Sequence, residues 1–157
     1  MNAEVVVYGA SGYTGKLIAW HLAERGIPFI AAGRNAGRLA EQMARVPELA
    51  GARYECVAVE HDEAALAKLF SGRKVVYNVV GPFMQLGDPV VRACLAAGCH
   101  YLDTTGEQDW MLHLKRTYGA AFAAKNLLLV PACSWMWLGG QLAAELALEH
   151  PGIDSLD

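Results

Sequence analysis

Charge is what this chain has least of. Only 18% of its 157 residues are Asp, Glu, Lys or Arg, and their balance is slightly acidic at -3. With no basic excess there is no field to gather phosphate backbones, so nucleic acid is excluded as a general partner. Disorder is excluded by the opposite property, since 54% apolar residues suffice to fill the core of one ordinary domain. Cysteine is sparse and unpatterned. Residues 56, 94, 99 and 133 form no C-x2-C pair and share no tetrahedral spacing with the histidines at 21, 61, 100, 113 and 150. No metal site is expected, and free thiols suit a reducing, cytoplasmic setting.

Several signatures are missing as well. Each of the six tyrosines is followed four places on by something other than Lys, which removes the Tyr-x3-Lys pair of short-chain dehydrogenases. Thr14-Gly15 precedes Lys16 where a Walker loop needs Gly-Lys-Ser/Thr. The most apolar stretch, Leu127 to Leu148, is broken by Pro131, Ser134, Gly139-Gly140, Gln141 and Glu145, so no membrane span is expected. Glu4 and an immediate strand pattern leave no signal peptide.

What is present is alternation. Apolar runs of strand length near 4–9, 28–33, 53–59, 74–80, 100–104 and 127–132 take turns with helical patterns near 13–25, 35–45, 63–71, 87–98, 108–125 and 139–149. Runs such as Val5-Val6-Val7 are apolar without alternation, as strands covered on both faces require. The expected fold is a six-stranded, doubly wound parallel sheet in three α/β/α layers, the Rossmann fold with order 3-2-1-4-5-6. It should occupy residues 1–150, with 151–157 opening a connection to a further domain.

In that fold ligands settle at the carboxyl end of the first strand, where this chain reads Tyr-Gly-Ala-Ser-Gly-Tyr-Thr-Gly over residues 8–15. Gly9 permits the turn, Gly12 lets a diphosphate approach the main chain, and Gly15 seats the helix close to the sheet. The amides that open the helix favour an anion, with Ser11, Tyr13 and Thr14 beside them. The second strand ends in Gly33-Arg34-Asn35, with no carboxylate for ribose hydroxyls. A guanidinium there can grip a ribose 2′-phosphate, so NADP is expected over NAD. Asp62 is placed to reach the adenine or to cap the next helix. Val80, Gly81, Pro82 and Phe83 form a corner over the sugar and nicotinamide, with Phe83 offering an aromatic face.

The glycine turn, Gly33-Arg34, Asn78-Val-Val-Gly-Pro-Phe83, Gly87-Asp-Pro-Val-Val-Arg-Ala-Cys94 and Ala97-Gly-Cys-His-Tyr-Leu-Asp-Thr-Thr-Gly-Glu107 together resemble the cofactor domain of saccharopine-dehydrogenase-like oxidoreductases, over most of residues 4–107. The resemblance implies an NAD(P)-dependent oxidoreductase, with saccharopine reductases and trans-acting enoyl reductases among its relatives. It also implies a second domain that holds much of the substrate, a small molecule or acyl group, and completes dimerisation. The chain departs from the family's Gly-Phe-Asp-Ser-Pro-Ser-Asp-like stretch, carrying Pro131-Ala-Cys-Ser-Trp-Met-Trp-Leu-Gly139 instead.

No general base stands out. Asp103, Thr104, Thr105 and Glu107 either line the crevice or cap a helix, and Cys133 reads as an inert thiol in apolar surroundings. The cluster Trp135-Met136-Trp137-Leu138 is either core or a docking patch for a second domain or another subunit. The chain thus reads as the NADP-binding part of an oxidoreductase; a non-catalytic, redox-sensing NADP module is the alternative.

Overall fold

The computed structural model describes residues 2–152 and 155. The chain alternates β1 (Val5–Tyr8), α1 (Tyr13–Glu24), β2 (Phe29–Gly33), α2 (Ala36–Ala44), β3 (Tyr54–Ala58), α3 (Glu63–Phe70), β4 (Val75–Asn78), α4 (Phe83–Ala97), β5 (His100–Asp103), α5 (Gln108–Thr117), α6 (Gly119–Ala124), β6 (Leu129–Val130) and α7 (Trp135–Leu148). All strand pairs are parallel, and the sheet runs β3-β2-β1-β4-β5-β6, the order expected.

Two-residue periodicity divides β1 between two cores. Val7 joins Ala19 of α1, Phe29 and Ala31 of β2, and Leu39 and Met43 of α2 on one face. Val6 and Tyr8 join Leu66 and Phe70 of α3, Val90 and Val91 of α4, and Trp110 of α5 on the other. Burial on both sides is why β1 and β2 read as unbroken apolar runs. Trp110 is wholly buried, and Gly87 makes room for it: a Cβ there would lie 2.3 Å from its ring.

Most boundaries shift by a residue or two from the sequence reading, and four departures are larger. Helix α4 starts at Phe83 rather than 87, through a first turn anchored from a distant segment. The helix expected over 108–125 breaks at Tyr118, whose hydroxyl donates to Asp88 at 2.6 Å. Strand β6 keeps only two residues, and α7 begins at Trp135, drawing the aromatic cluster into its first turn. Of the expected connection 151–157, residues 153, 154, 156 and 157 lie outside the described residues.

Candidate cofactor site

The carboxyl edge of the sheet gathers the starts of α1, α2, α3 and α4 around the end of β1. There Gly9 adopts φ +95°, and its carbonyl accepts from the Gly12 amide at 3.0 Å, closing the turn. A Cβ on Gly15 would lie 2.5 Å from that same carbonyl oxygen and 2.6 Å from Ala10 Cα. Main chain cannot yield as a side chain does, so glycine is required for α1 to start this close to the strand. A Cβ on Gly9 would meet Val80 Cγ2 at 2.8 Å, which places Val80 against the turn.

Three of these four helix starts are occupied by side chains. Asn35 Oδ1 accepts from the Arg38 amide at 2.8 Å, and Asp62 Oδ1 from the Ala65 amide at 3.0 Å. The Glu107 carboxylate reaches across to accept from the Phe83 and Met84 amides of α4 at 2.7 and 2.9 Å. Helix α1 opens on Gly12, with no side-chain cap and no acidic residue in its first turn. Its amides and the positive end of its dipole face an exposed Gly12, Tyr13 and Thr14, with Ser11 half-buried at the rim. A diphosphate needs bare amides, no Cβ and no competing carboxylate, and the residues present meet all three conditions.

Beyond this turn, β2 ends in a buried Gly33 followed by an exposed Arg34. The Arg34 guanidinium makes no hydrogen bond or ion pair among the described residues. On the other side, Asn78 is buried; its Oδ1 accepts from the Val80 amide at 3.0 Å and its Nδ2 donates to the Tyr101 hydroxyl at 3.2 Å. Tyr101 and Trp110 Nε1 both donate to Asp103 Oδ2 at 2.8 Å. Asp103 Oδ1 accepts from the amides of Thr105 at 3.0 Å and Ala132 at 2.9 Å. Thr105 Oγ1 accepts from the Glu107 amide at 2.9 Å. One continuous network therefore ties together the ends of β4, β5 and β6. Burial, then the charge of Asp103, pushes the Tyr101 phenol well up, keeping it a donor.

This arrangement reassigns several residues. Phe83 is 8% exposed and packs in the core, so the aromatic face expected over the nicotinamide is turned inward. Asp103 and Thr105 are wholly buried braces rather than crevice groups, and Glu107 caps the helix before it, not the one after. Asn78 and Glu107 position the corner, and sequence reasoning gave neither that role. For Asn78 the available signal was a polar residue ending an apolar strand; for Glu107 there was none. Cys133 is half-buried; its amide donates to the Asp103 carbonyl at 2.7 Å and its carbonyl accepts from Tyr77. Removing the Glu107 carboxylate, Glu107→Ala, leaves two α4 amides without their charged acceptor. It should cost about 2 kcal/mol of folding stability in urea, and Glu107→Gln about half of that.

Among the described residues no cluster of His, Cys, Asp and Glu converges as a metal site. No described helix is long and apolar enough to cross a membrane. The sequence pattern of the saccharopine dehydrogenase NADP binding domain matches residues 5–124. The chain belongs to that family. NADP is the dinucleotide this domain family binds. Curated relatives agree. A probable mitochondrial saccharopine dehydrogenase-like oxidoreductase of Arabidopsis thaliana is 32% identical over 160 residues, covering 92% of this chain and 34% of that protein. A trans-acting enoyl reductase of Mycobacterium ulcerans is 33% identical over 134 residues, covering 84% and 32%. The chain thus spans about a third of the length of these relatives. The fold matches apo saccharopine dehydrogenase (L-Glu forming) of Saccharomyces cerevisiae with a TM-score of 0.69 at 15% identity, covering 90% of this chain and 30% of that one.

Proposed function

We propose that this saccharopine dehydrogenase-like domain holds NADP(H) along the carboxyl edge of its sheet for an oxidoreductase whose substrate rests largely on a second domain. The single observation carrying this reading is the open, glycine-lined start of α1 beside the capped starts of α2, α3 and α4. Gly9, Gly12 and Gly15 keep side chains out of the way of the diphosphate at the open first turn of α1, with Ser11, Tyr13 and Thr14 at its rim. Arg34 takes the 2′-phosphate, beside Asn35. Asp62 stands at the adenine end, while Val80, Gly81, Pro82 and Phe83 shape the nicotinamide end through their backbone. When bound, the nicotinamide supplies or receives a hydride; the chain's part is to hold it and keep water away.

The second domain, or a second subunit, docks on α7. Trp135, Leu138, Leu142 and Leu146 recur at helical spacing along one face and are 89%, 42%, 62% and 67% exposed. None of the α7 residues is buried, so this stripe has the composition of an interface without its cover. A cytoplasmic location accords with four free cysteines. Titrating the purified chain with NADPH and NADH, followed by tryptophan fluorescence, tests the reading. Saturable binding with NADPH the tighter ligand is expected, and no saturable binding of either overturns it.

A further inference from the structure

Helix α7 is apolar on two opposite sides. At 3.6 residues per turn, Trp135, Leu138, Leu142 and Leu146 fall within one sector of roughly 80°, and all four are exposed. The opposite sector holds Trp137, Ala144 and Ala147, which the chain itself covers in part; the Trp137 indole nitrogen is enclosed. A helix with apolar surface on both sides belongs to a middle layer, and the described residues supply only one of its two neighbours.

Its charges are one-sided too. None of the residues Trp135–Leu148 is Lys or Arg, and the two carboxylates, Glu145 and Glu149, stand in the last turn and just past it. Glu145 accepts from Gln141 of the same helix at 3.0 Å. The first turn has neither an acidic residue nor a side-chain cap, so it presents the positive end of the helix dipole. An anionic lipid surface would repel a helix that carries carboxylates and no cations.

We propose that α7 packs antiparallel against the α7 of a second copy of this chain, across a twofold axis at Leu142. The proposal rests on the reading that α7 is a docking surface, and takes the second subunit, not the second domain, as its cover. Reversing the helix about Leu142 sets that side chain against its own copy and Leu138 against the partner's Leu146. Trp135 then lies over the stem of the partner's Glu149. Gly139 faces the partner's Glu145 and, having no side chain, lets the two helices come close. A stripe that maps onto itself when reversed is what a self-partner requires and an unrelated domain does not. Antiparallel packing also brings both carboxylates to the positive end of the opposite helix, whereas parallel packing would stack Glu145 on Glu145 and Glu149 on Glu149.

Sedimentation equilibrium of the whole chain tests this. Four large side chains per copy make a small interface, so a reversible dimer with a dissociation constant on the order of 10–100 μM is expected. Leu142→Glu puts two carboxylates on the axis and should weaken that dimer by at least about tenfold. Orientation is read by cross-linking, with the exposed Cys56 replaced by Ser. Leu138→Cys mixed with Leu146→Cys should form a disulfide-linked pair on oxidation with copper phenanthroline, and Leu138→Cys alone should not. This arm serves if Leu142→Glu does not fold. A monomer throughout the range, a dimer indifferent to Leu142→Glu, or linkage of Leu138→Cys to itself in preference overturns the antiparallel pair. Binding of the dye ANS separates that failure from failure of the docking reading. A monomer whose ANS fluorescence falls with Leu142→Glu overturns the second copy alone, and a monomer whose fluorescence does not change overturns α7 as a docking surface.

Discussion

Asp103→Asn should lower stability by about 3–5 kcal/mol, enough to move a urea midpoint down by roughly 2 M. The substitution barely changes volume, so the effect is not a cavity. Each carboxylate oxygen accepts from two donors: Tyr101 and Trp110 on one, the Thr105 and Ala132 amides on the other. An amide replaces one of those oxygens by an NH2 group, and either orientation sets it against two donors in a site without water. Leaving a buried donor unpaired costs about 1–3 kcal/mol, and whole domains are stable by only about 5–15 kcal/mol. A midpoint unmoved within error would mean that the network is not the brace inferred from its distances.

The other large effect concerns cofactor choice. Arg34→Asp should weaken NADPH by about two to three orders of magnitude while changing NADH by less than about threefold. The parent guanidinium is exposed and unpaired, hence available for two charge-assisted bonds to a 2′-phosphate. The aspartate both removes those bonds and repels the dianion, and it restores a carboxylate that can accept from ribose hydroxyls. Because the site is exposed, the discrimination should shrink as salt is added. Equal losses for both cofactors, or none, would remove Arg34 from its assigned place.

The strand order was legible in the sequence because burial on both faces makes β1 and β2 uniformly apolar, and glycine is required by sterics that act within a few residues. Gly15 against the Gly9 carbonyl is such a local constraint. What was illegible depends on contacts far apart in the chain. Nothing near Phe83 announces that Glu107, 24 residues on, will anchor its amide and lengthen α4 by a turn. Nothing in Asp103 alone separates a buried brace from a crevice carboxylate, since both follow an apolar strand. The helix break at Tyr118 likewise lies beside a distant contact, its hydroxyl donating to Asp88, 30 residues earlier.

The Asp103 network also divides the carboxyl edge by mobility. Amides of Val80, Phe83, Thr105 and Ala132 are all held by side chains of the network, whereas those at the start of α1 have no side chain to hold them. In deuterated buffer the former should exchange only through rare openings and the latter quickly. Saturation with dinucleotide should therefore slow exchange at residues 11, 13 and 14 and leave the β4–β6 end almost as it was.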